Sequence, residues 1–369
     1  MSLSVSLPAP RAGVAVAAPL AAAAIAAAAT LTAAPAHAIA IPGLTHEVAQ
    51  ECSALAPARI VERTDIDSRF TRLKVTTGIG TDTITLDVLH PADDAPRSTL
   101  YILPGMLGDP QRSWVERTDA REFFADKHVN VVFFRGAAGS MMSDWNTITR
   151  LDAPVRAAAD ALGLSAWGHG SGCWEQFAGV TLPQLIDAAF SGTGSTTGHD
   201  MIAGLSMSGA AALIIGATHP ERFAALGSFS GFPLAQETSS EIITGSSTAV
   251  SLTAFDDLWG PPGSPDWVAH NPANRLADFR ANGQRLYVGY GTGMPGPVDF
   301  APGVTDTDRL GGFLAETIAH HQGQRFARML ADAAVPVHPE ALPYGLHDWG
   351  VFQHHLHASW ENLLAGVAD

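Results

Sequence analysis

Ser206 is the residue around which chemistry can be organised. It lies in Gly204-Leu205-Ser206-Met207-Ser208-Gly209, between the apolar run Met201-Ile202-Ala203 and the small-residue run Gly209–Ile215. A buried strand, a sharp turn with serine at its apex and a following helix form a nucleophile elbow, the mark of an α/β-hydrolase. Small neighbours are needed for so tight a turn, although the usual pattern has glycine where Ser208 stands. The elbow would expose the Ser206 hydroxyl, with the Met207 N–H beside it as one oxyanion donor at a helix N-terminus.

A serine nucleophile needs a base, an acid and a second oxyanion donor. In this fold the order along the chain is Ser, acid, His. His347, in Tyr344-Gly345-Leu346-His347-Asp348-Trp349, follows the last strand and is the expected base. His354, His355 and His357 lie on the helix beyond and share no single face, so a metal site there is not expected. For the acid, Asp299, Asp306, Asp308 and Glu316 all fall in the right interval, and pattern alone does not choose among them. The second oxyanion donor is expected from the loop after an earlier central strand. That loop is Leu103-Pro104-Gly105-Met106-Leu107, with the Met106 N–H as candidate.

The positioning elements can be read from periodicity. Arg69–Val75 and Thr81–His90 alternate and predict a hairpin at an antiparallel edge. Thr99–Pro104 and Val129–Arg135 are unbroken apolar runs, as central parallel strands covered on both faces require. Met201–Leu205, Ala224–Phe229, Arg285–Tyr290 and Val335–Ala341 complete the strands. Helices are expected over Asp119–Lys127, Trp174–Phe190, Gly209–Thr218, about 308–332 and Trp349–Ala365. This alternation predicts an α/β class, with a mostly parallel sheet, helices on both faces and an antiparallel N-terminal edge. Residues 39–66 read as an irregular extension and 67–369 as one domain. Residues 136–173 and 191–199 read as irregular, and 232–284 as an irregular insertion facing the substrate.

The 369 residues carry a formal charge of −15, which argues against nucleic acid as a partner. Apolar residues make up 46% and charged ones 15%, as in a well-buried globular protein. Before residue 39 the one charge is Arg11, in an Ala/Val/Leu stretch ending Pro35-Ala36-His37-Ala38. That pattern predicts a secretory signal peptide over residues 1–38. Two cysteines in an exported chain, Cys52 and Cys173, predict one disulfide.

The ordered motifs resemble those of the mycolyltransferases of mycobacteria and corynebacteria, which include the antigen 85 complex. The resemblance runs from about Leu73 to Trp360. It rests on the elbow, Gly139-Ser140 with Ser143-Asp144-Trp145, Trp174-Glu175 with Leu182-Pro183, and Trp259-Gly260-Pro261 with Asp266-Trp267 and Asn271-Pro272. Tyr290-Gly291-Thr292-Gly293, Phe313-Leu314 with Glu316, and His347-Asp348-Trp349 complete it. The resemblance implies Ser206 as nucleophile, Glu316 as acid and His347 as base, with Met106 and Met207 as oxyanion donors. It also implies substrate contacts from Ser143, Asp144, Trp145 and Trp349. Where the family has Asp-Gly-x-Arg, this chain has Pro104-Gly105-Met106-Leu107 and lacks the two charges that help hold trehalose.

The expectation is therefore a secreted or cell-envelope acyltransferase without cofactor or metal. It would move a mycolyl or corynomycolyl group from a glycolipid donor, trehalose monomycolate, to a sugar or cell-wall acceptor. Peripheral contact with the outer lipid layer and a monomeric state accompany it. Two rivals are a secreted carboxylesterase or lipase using water, and a low-activity cell-wall binding protein on the same scaffold.

Overall fold

The structure is a computed structural model. It describes residues 44–48, 52, 56–79, 83–91, 98–108, 113–155, 157, 170–190, 199–251, 253–300 and 306–364. The expected signal peptide lies outside the described residues, as do residues 191–198 of the loop expected at 191–199.

Eleven strands are described: β1 Leu44–Val48, β2 Arg59–Asp65, β3 Phe70–Thr76, β4 Thr83–Leu89, β5 Thr99–Leu103, β6 Asn130–Arg135, β7 Thr147–Leu151, β8 Asp200–Leu205, β9 Phe223–Phe229, β10 Arg285–Tyr290 and β11 Val337–Ala341. Helices of more than six residues are α1 Leu182–Ala189, α2 Met207–Thr218, α3 Thr238–Val250, α4 Leu276–Asn282, α5 Asp306–Asp332 and α6 Trp349–Ser359. The main sheet has nine strands in the order β11-β10-β9-β8-β5-β6-β4-β3-β2. From β11 to β6 every neighbour is parallel. Strands β4, β3 and β2 continue it in antiparallel pairing.

The apolar runs sit where their composition demands. All five residues of β5 and all six of β6 and of β8 are buried. Side chains of β5 alternate between two cores: Tyr101 and Leu103 enter one, with Leu213 of α2, and Leu100 and Ile102 enter the other, with Trp349, Phe352 and Leu356 of α6. Strand β5 lies between β6 and β8, so the chain leaves it to one side and later returns on the other. This is a topological switch, where a crevice opens beyond the carboxyl ends of parallel strands. Residues Gly105–Leu107 follow β5 there, and Ser206 follows β8.

Four expectations are corrected. Residues 39–66 are not irregular throughout: they contain β1 and β2. Strand β2 lacks an apolar alternation because it is an exposed edge, and its Glu62 and Arg63 suit an edge that must not pair further. The stretch 136–173 contains β7, which pairs antiparallel with β1. The helix expected over Asp119–Lys127 is shorter, Ala120–Phe123, and a separate short helix, Trp114–Arg117, precedes it. They are separated at Thr118, whose hydroxyl turns back to the Trp114 carbonyl at 2.5 Å. The insertion over 232–284 is largely helical, with α3, α4 and two short helices, Asp256–Trp259 and Pro265–Ala269.

Candidate active site

Strand β8 ends at Leu205 and α2 begins at Met207, so one residue makes the whole turn. Ser206 is held at φ 54° and ψ −119°, a costly conformation for a residue with a side chain. Its N–H donates to the Phe229 carbonyl at 2.9 Å, which ties the elbow to β9. Gly204 is required by space: a Cβ there would lie 2.1 Å from the Ser208 carbonyl oxygen. Ser208 is tolerated in the usual glycine position because it is fully buried and its Oγ donates to the Leu205 carbonyl at 3.2 Å.

His347 is brought to this turn from the loop between β11 and α6. Its Nε2 lies 2.7 Å from Ser206 Oγ, and its Nδ1 lies 2.7 Å from Glu316 Oε2. Its N–H donates to the Gly312 carbonyl of α5 at 3.1 Å. Helix α5 thus carries both Glu316 and a backbone anchor for the histidine. Glu316 is fully buried, and its Oε1 accepts from Ser230 Oγ at 2.8 Å and from the Gly291 N–H at 2.5 Å. Both oxygens of this buried side chain are thus held by hydrogen-bond partners within the protein.

The other three acids take different places. Asp299 is buried and accepts from the Leu346 and Gly296 backbone N–H groups. Asp306 and Asp308 begin α5, and their side chains lie outside the described residues. Sequence reasoning missed Ser230, which sits at φ 49° immediately after β9. Phe229-Ser230-Gly231, small residues closing a central strand beside the elbow, was the available signal.

The oxyanion candidates flank the same point. Met207 opens α2, so its N–H belongs to the unpaired first turn. Met106 lies in the turn after β5, closed by the Gly108 N–H on the Gly105 carbonyl at 3.0 Å and by the Gly139 N–H on the Met106 carbonyl at 2.8 Å. Register pairs Leu103 of β5 with Gly204 of β8, which sets this turn alongside the elbow.

The four residues expected to touch substrate do structural work here. Trp145 is buried and its indole N–H donates to the Ser140 carbonyl at 2.8 Å. Trp349 is buried edge-on against Trp114. Asp144 Oδ1 accepts from the Glu175 and Gln176 N–H groups at 2.9 and 3.1 Å, capping the helix that starts at Trp174. Burial, with the Glu175 charge adding to it, pushes the Asp144 carboxyl up to about 6 against those two donors. Ser143 Oγ accepts from the Trp259 indole at 2.9 Å. It also lines a cavity of about 20 Å³, shared with Met141, Met142, Met207, Glu175 and His270 and large enough for one water. His270 is stacked on Trp259 and lies 3.3 Å from Glu175. Burial pushes its imidazole down, but the Glu175 partner outweighs that and its pKa is raised.

Cys52 and Cys173 form a disulfide. Among the described residues, the one histidine, cysteine or carboxylate group compact enough for a metal is Cys52, Asp144 and Cys173, and the disulfide leaves it no thiolate. His354, His355 and His357 diverge, meeting Glu340, Tyr287 and Asp119 respectively. No helix among the described residues is long and apolar enough to cross a membrane.

A mostly parallel sheet with a serine on the strand–helix elbow at its switch point, and a histidine within hydrogen-bond reach, defines an α/β-hydrolase of the serine-esterase kind. The chain belongs to the Esterase family, whose model matches residues 81–363. It is similar to the diacylglycerol acyltransferase/mycolyltransferase Ag85B of Mycolicibacterium smegmatis, 31% identical over 221 residues, 56% of this chain and 62% of that protein. It is similar to Ag85A of Mycobacterium ulcerans, with the same description, at 28% over 236 residues, 61% of this chain and 64% of that one. The chain therefore spans rather less than two thirds of these relatives. Among solved structures, Mycobacterium tuberculosis MPT51 (FbpC1) superposes with a TM-score of 0.60 at 21% identity, over 85% of this chain and all of that one. The Staphylococcus aureus fluorophosphonate-binding serine hydrolase FphF gives 0.52 at 14%, over 85% of this chain and all of that one. These two share the fold.

Proposed function

We propose that the protein is an exported acyltransferase of a mycolate-containing envelope, working through a Ser206 acyl-enzyme. The observation that carries this is the continuous Ser206–His347–Glu316 hydrogen-bonded line, in a chain similar to mycolyltransferases. His347 Nε2 takes the Ser206 proton as Oγ attacks the ester carbonyl of the donor, a trehalose monomycolate or its corynomycolyl counterpart. The Met106 and Met207 N–H groups hold the oxyanion. Glu316 keeps Nδ1 protonated, which leaves Nε2 free to accept, and stabilises the imidazolium. As the tetrahedral intermediate collapses, the sugar oxygen leaves and takes that proton. A second hydroxyl, from trehalose, arabinogalactan or another envelope component, then attacks the acyl-enzyme by the same steps in reverse.

Hydrolysis is the second reading. It is favoured by Pro104-Gly105-Met106-Leu107, which offers no charged side chain to hold a sugar acceptor. Labelled trehalose monomycolate, incubated with protein and graded amounts of trehalose, separates the two. Transfer predicts an acylated sugar that grows with acceptor at the expense of free acid, and no product from Ser206→Ala. Free acid alone, at a rate indifferent to acceptor, would leave the esterase reading. Undiminished turnover by Ser206→Ala would end both.

A further inference from the structure

Two carboxyl groups meet beneath the His347 loop, and the chemistry above does not use them. Asp299 is fully buried; its Oδ1 accepts from the Leu346 N–H at 2.9 Å and its Oδ2 from the Gly296 N–H at 2.5 Å. Asp348 is also buried; its Oδ1 accepts from the Gly350 and Val351 N–H groups at 2.9 and 3.4 Å and caps α6. Its Oδ2 is buried with no donor. Asp299 comes from the turn packed against it: its Oδ1 holds the Leu346 N–H two residues before Asp348, and its neighbour Val298 presses on Gly350 two residues after. A buried carboxylate oxygen without a donor, close to a second buried carboxyl, is satisfied by a proton held between the two. The two turns are pressed together: a Cβ on Gly350 would lie 1.9 Å from the Val298 carbonyl oxygen. His347 is held between Leu346 and Asp348, the two residues this contact fixes.

We propose that Asp299 and Asp348 share one proton as a carboxyl–carboxylate pair that positions the His347 loop, and that losing this proton in alkaline solution disengages the base from Ser206. Asp299 and Asp348 are positioning residues; neither touches the reacting atoms. The inference rests on His347 acting as the general base. Burial, then the Asp299 charge, pushes the Asp348 carboxyl up to about 8. The other charged or titratable groups nearby are Arg309, which donates to the Asp299 backbone carbonyl, the Glu316–His347 pair, and Arg117 over the Trp349 ring. Deprotonation leaves two negative charges across a dry contact, and the two turns must part.

The test is kcat and KM for a soluble ester from pH 6 to 10, with fluorophosphonate labelling of Ser206, on wild type, Asp348→Asn and Asp299→Asn. Wild-type kcat should fall at least tenfold between pH 8 and 10 with KM little changed. In Asp348→Asn the amide supplies a permanent donor and its oxygen still caps α6. That variant should keep at least half the wild-type rate at pH 7 and lose the alkaline fall. Asp299→Asn sets an amide NH₂ against a backbone N–H and should lose at least tenfold at every pH. An alkaline fall that persists unchanged in Asp348→Asn, or no such fall in wild type, would overturn the proposal.

Thermal unfolding keeps the two readings apart. The folded chain holds a proton that the unfolded chain releases, so stability must fall as pH rises from the ordinary Asp value of 3.8 to about 8. Wild-type Tm should therefore decline relative to Asp348→Asn across that window. A wild type inert and unlabelled at all pH values would sink the assignment of His347, and the Tm difference would then decide the pair. A Tm difference that does not change with pH would overturn the pair as well.

Discussion

Glu316 illustrates how one side chain serves several neighbours. Its Oε2 faces His347, while Ser230 Oγ and the Gly291 N–H hold its Oε1. The carboxylate therefore cannot rotate without breaking one of three bonds. Glu316→Gln leaves the size and offers an NH₂ where an acceptor is needed, which favours the wrong imidazole tautomer. We expect kcat for a soluble ester at neutral pH to drop by about 10³–10⁴ with KM nearly constant. Ser230→Ala removes one donor and leaves two, so the same assay should show a loss of only about tenfold. A Glu316→Gln enzyme within tenfold of wild type would transfer the acid's role elsewhere. Choosing this residue among four carboxyls was not possible from spacing. Contact with His347 depends on where α5 begins and how it turns, which no local pattern records.

The elbow belongs to the scale of elements, because it is a junction of β8, β9 and α2. Ser206 is kept in its strained conformation by the Phe229 carbonyl behind it and by the closeness of Gly204 to Ser208. Gly204→Ala places a methyl 2.1 Å from a backbone oxygen that α2 cannot move without losing its first turn. We expect a loss of about 3 kcal/mol in urea unfolding and the disappearance of fluorophosphonate labelling at Ser206. Normal stability with full labelling would show that the turn is looser than its geometry. The strand–turn–helix pattern was legible because each element is local: an apolar run, small residues at the turn, a helix former after it. The early end of the helix at Phe123 was not, nor was the separate helix Trp114–Arg117 before it, from which Thr118 departs in an extended conformation at φ −134° and ψ 176°.

For the molecule as a whole, the notable tie is the disulfide. Cys52 and Cys173 are separated by 121 residues, and Cys173 immediately precedes the helix that Asp144 caps. The bond therefore fastens a segment before the main sheet to the layer of side chains around Ser143, Glu175 and His270. Closing a loop of this length contributes about 5 kcal/mol by chain entropy. We expect the double variant Cys52→Ser/Cys173→Ser to lose about 3–5 kcal/mol in urea unfolding. Dithiothreitol should bring the wild type to the same level and leave the variant unmoved. Equal stability of variant and wild type would mean that the body of the molecule holds without the link.

The sequence by itself determined the α/β class, the central strands, the elbow serine and the histidine of the last loop. Each depends on contacts within a few residues or on the order of elements along the chain. Runs such as Tyr101–Leu103 and Val131–Phe134 are too apolar to lie anywhere but between two layers, and a serine between a strand and a small-residue helix has few other uses. Local pattern left four carboxyls open and the family resemblance pointed to Glu316; tertiary structure decided that it meets His347, that Ser230 supports it, and that the Asp299 and Asp348 turns pack together. It also decided that Trp145 and Trp349 pack inward and that Arg59–Asp65 extends the sheet edge. The physical reason is common to all of these. They are pairings across 17 to 86 residues, or burials on faces set by a neighbouring layer, and their energy appears only when distant segments have been brought into register.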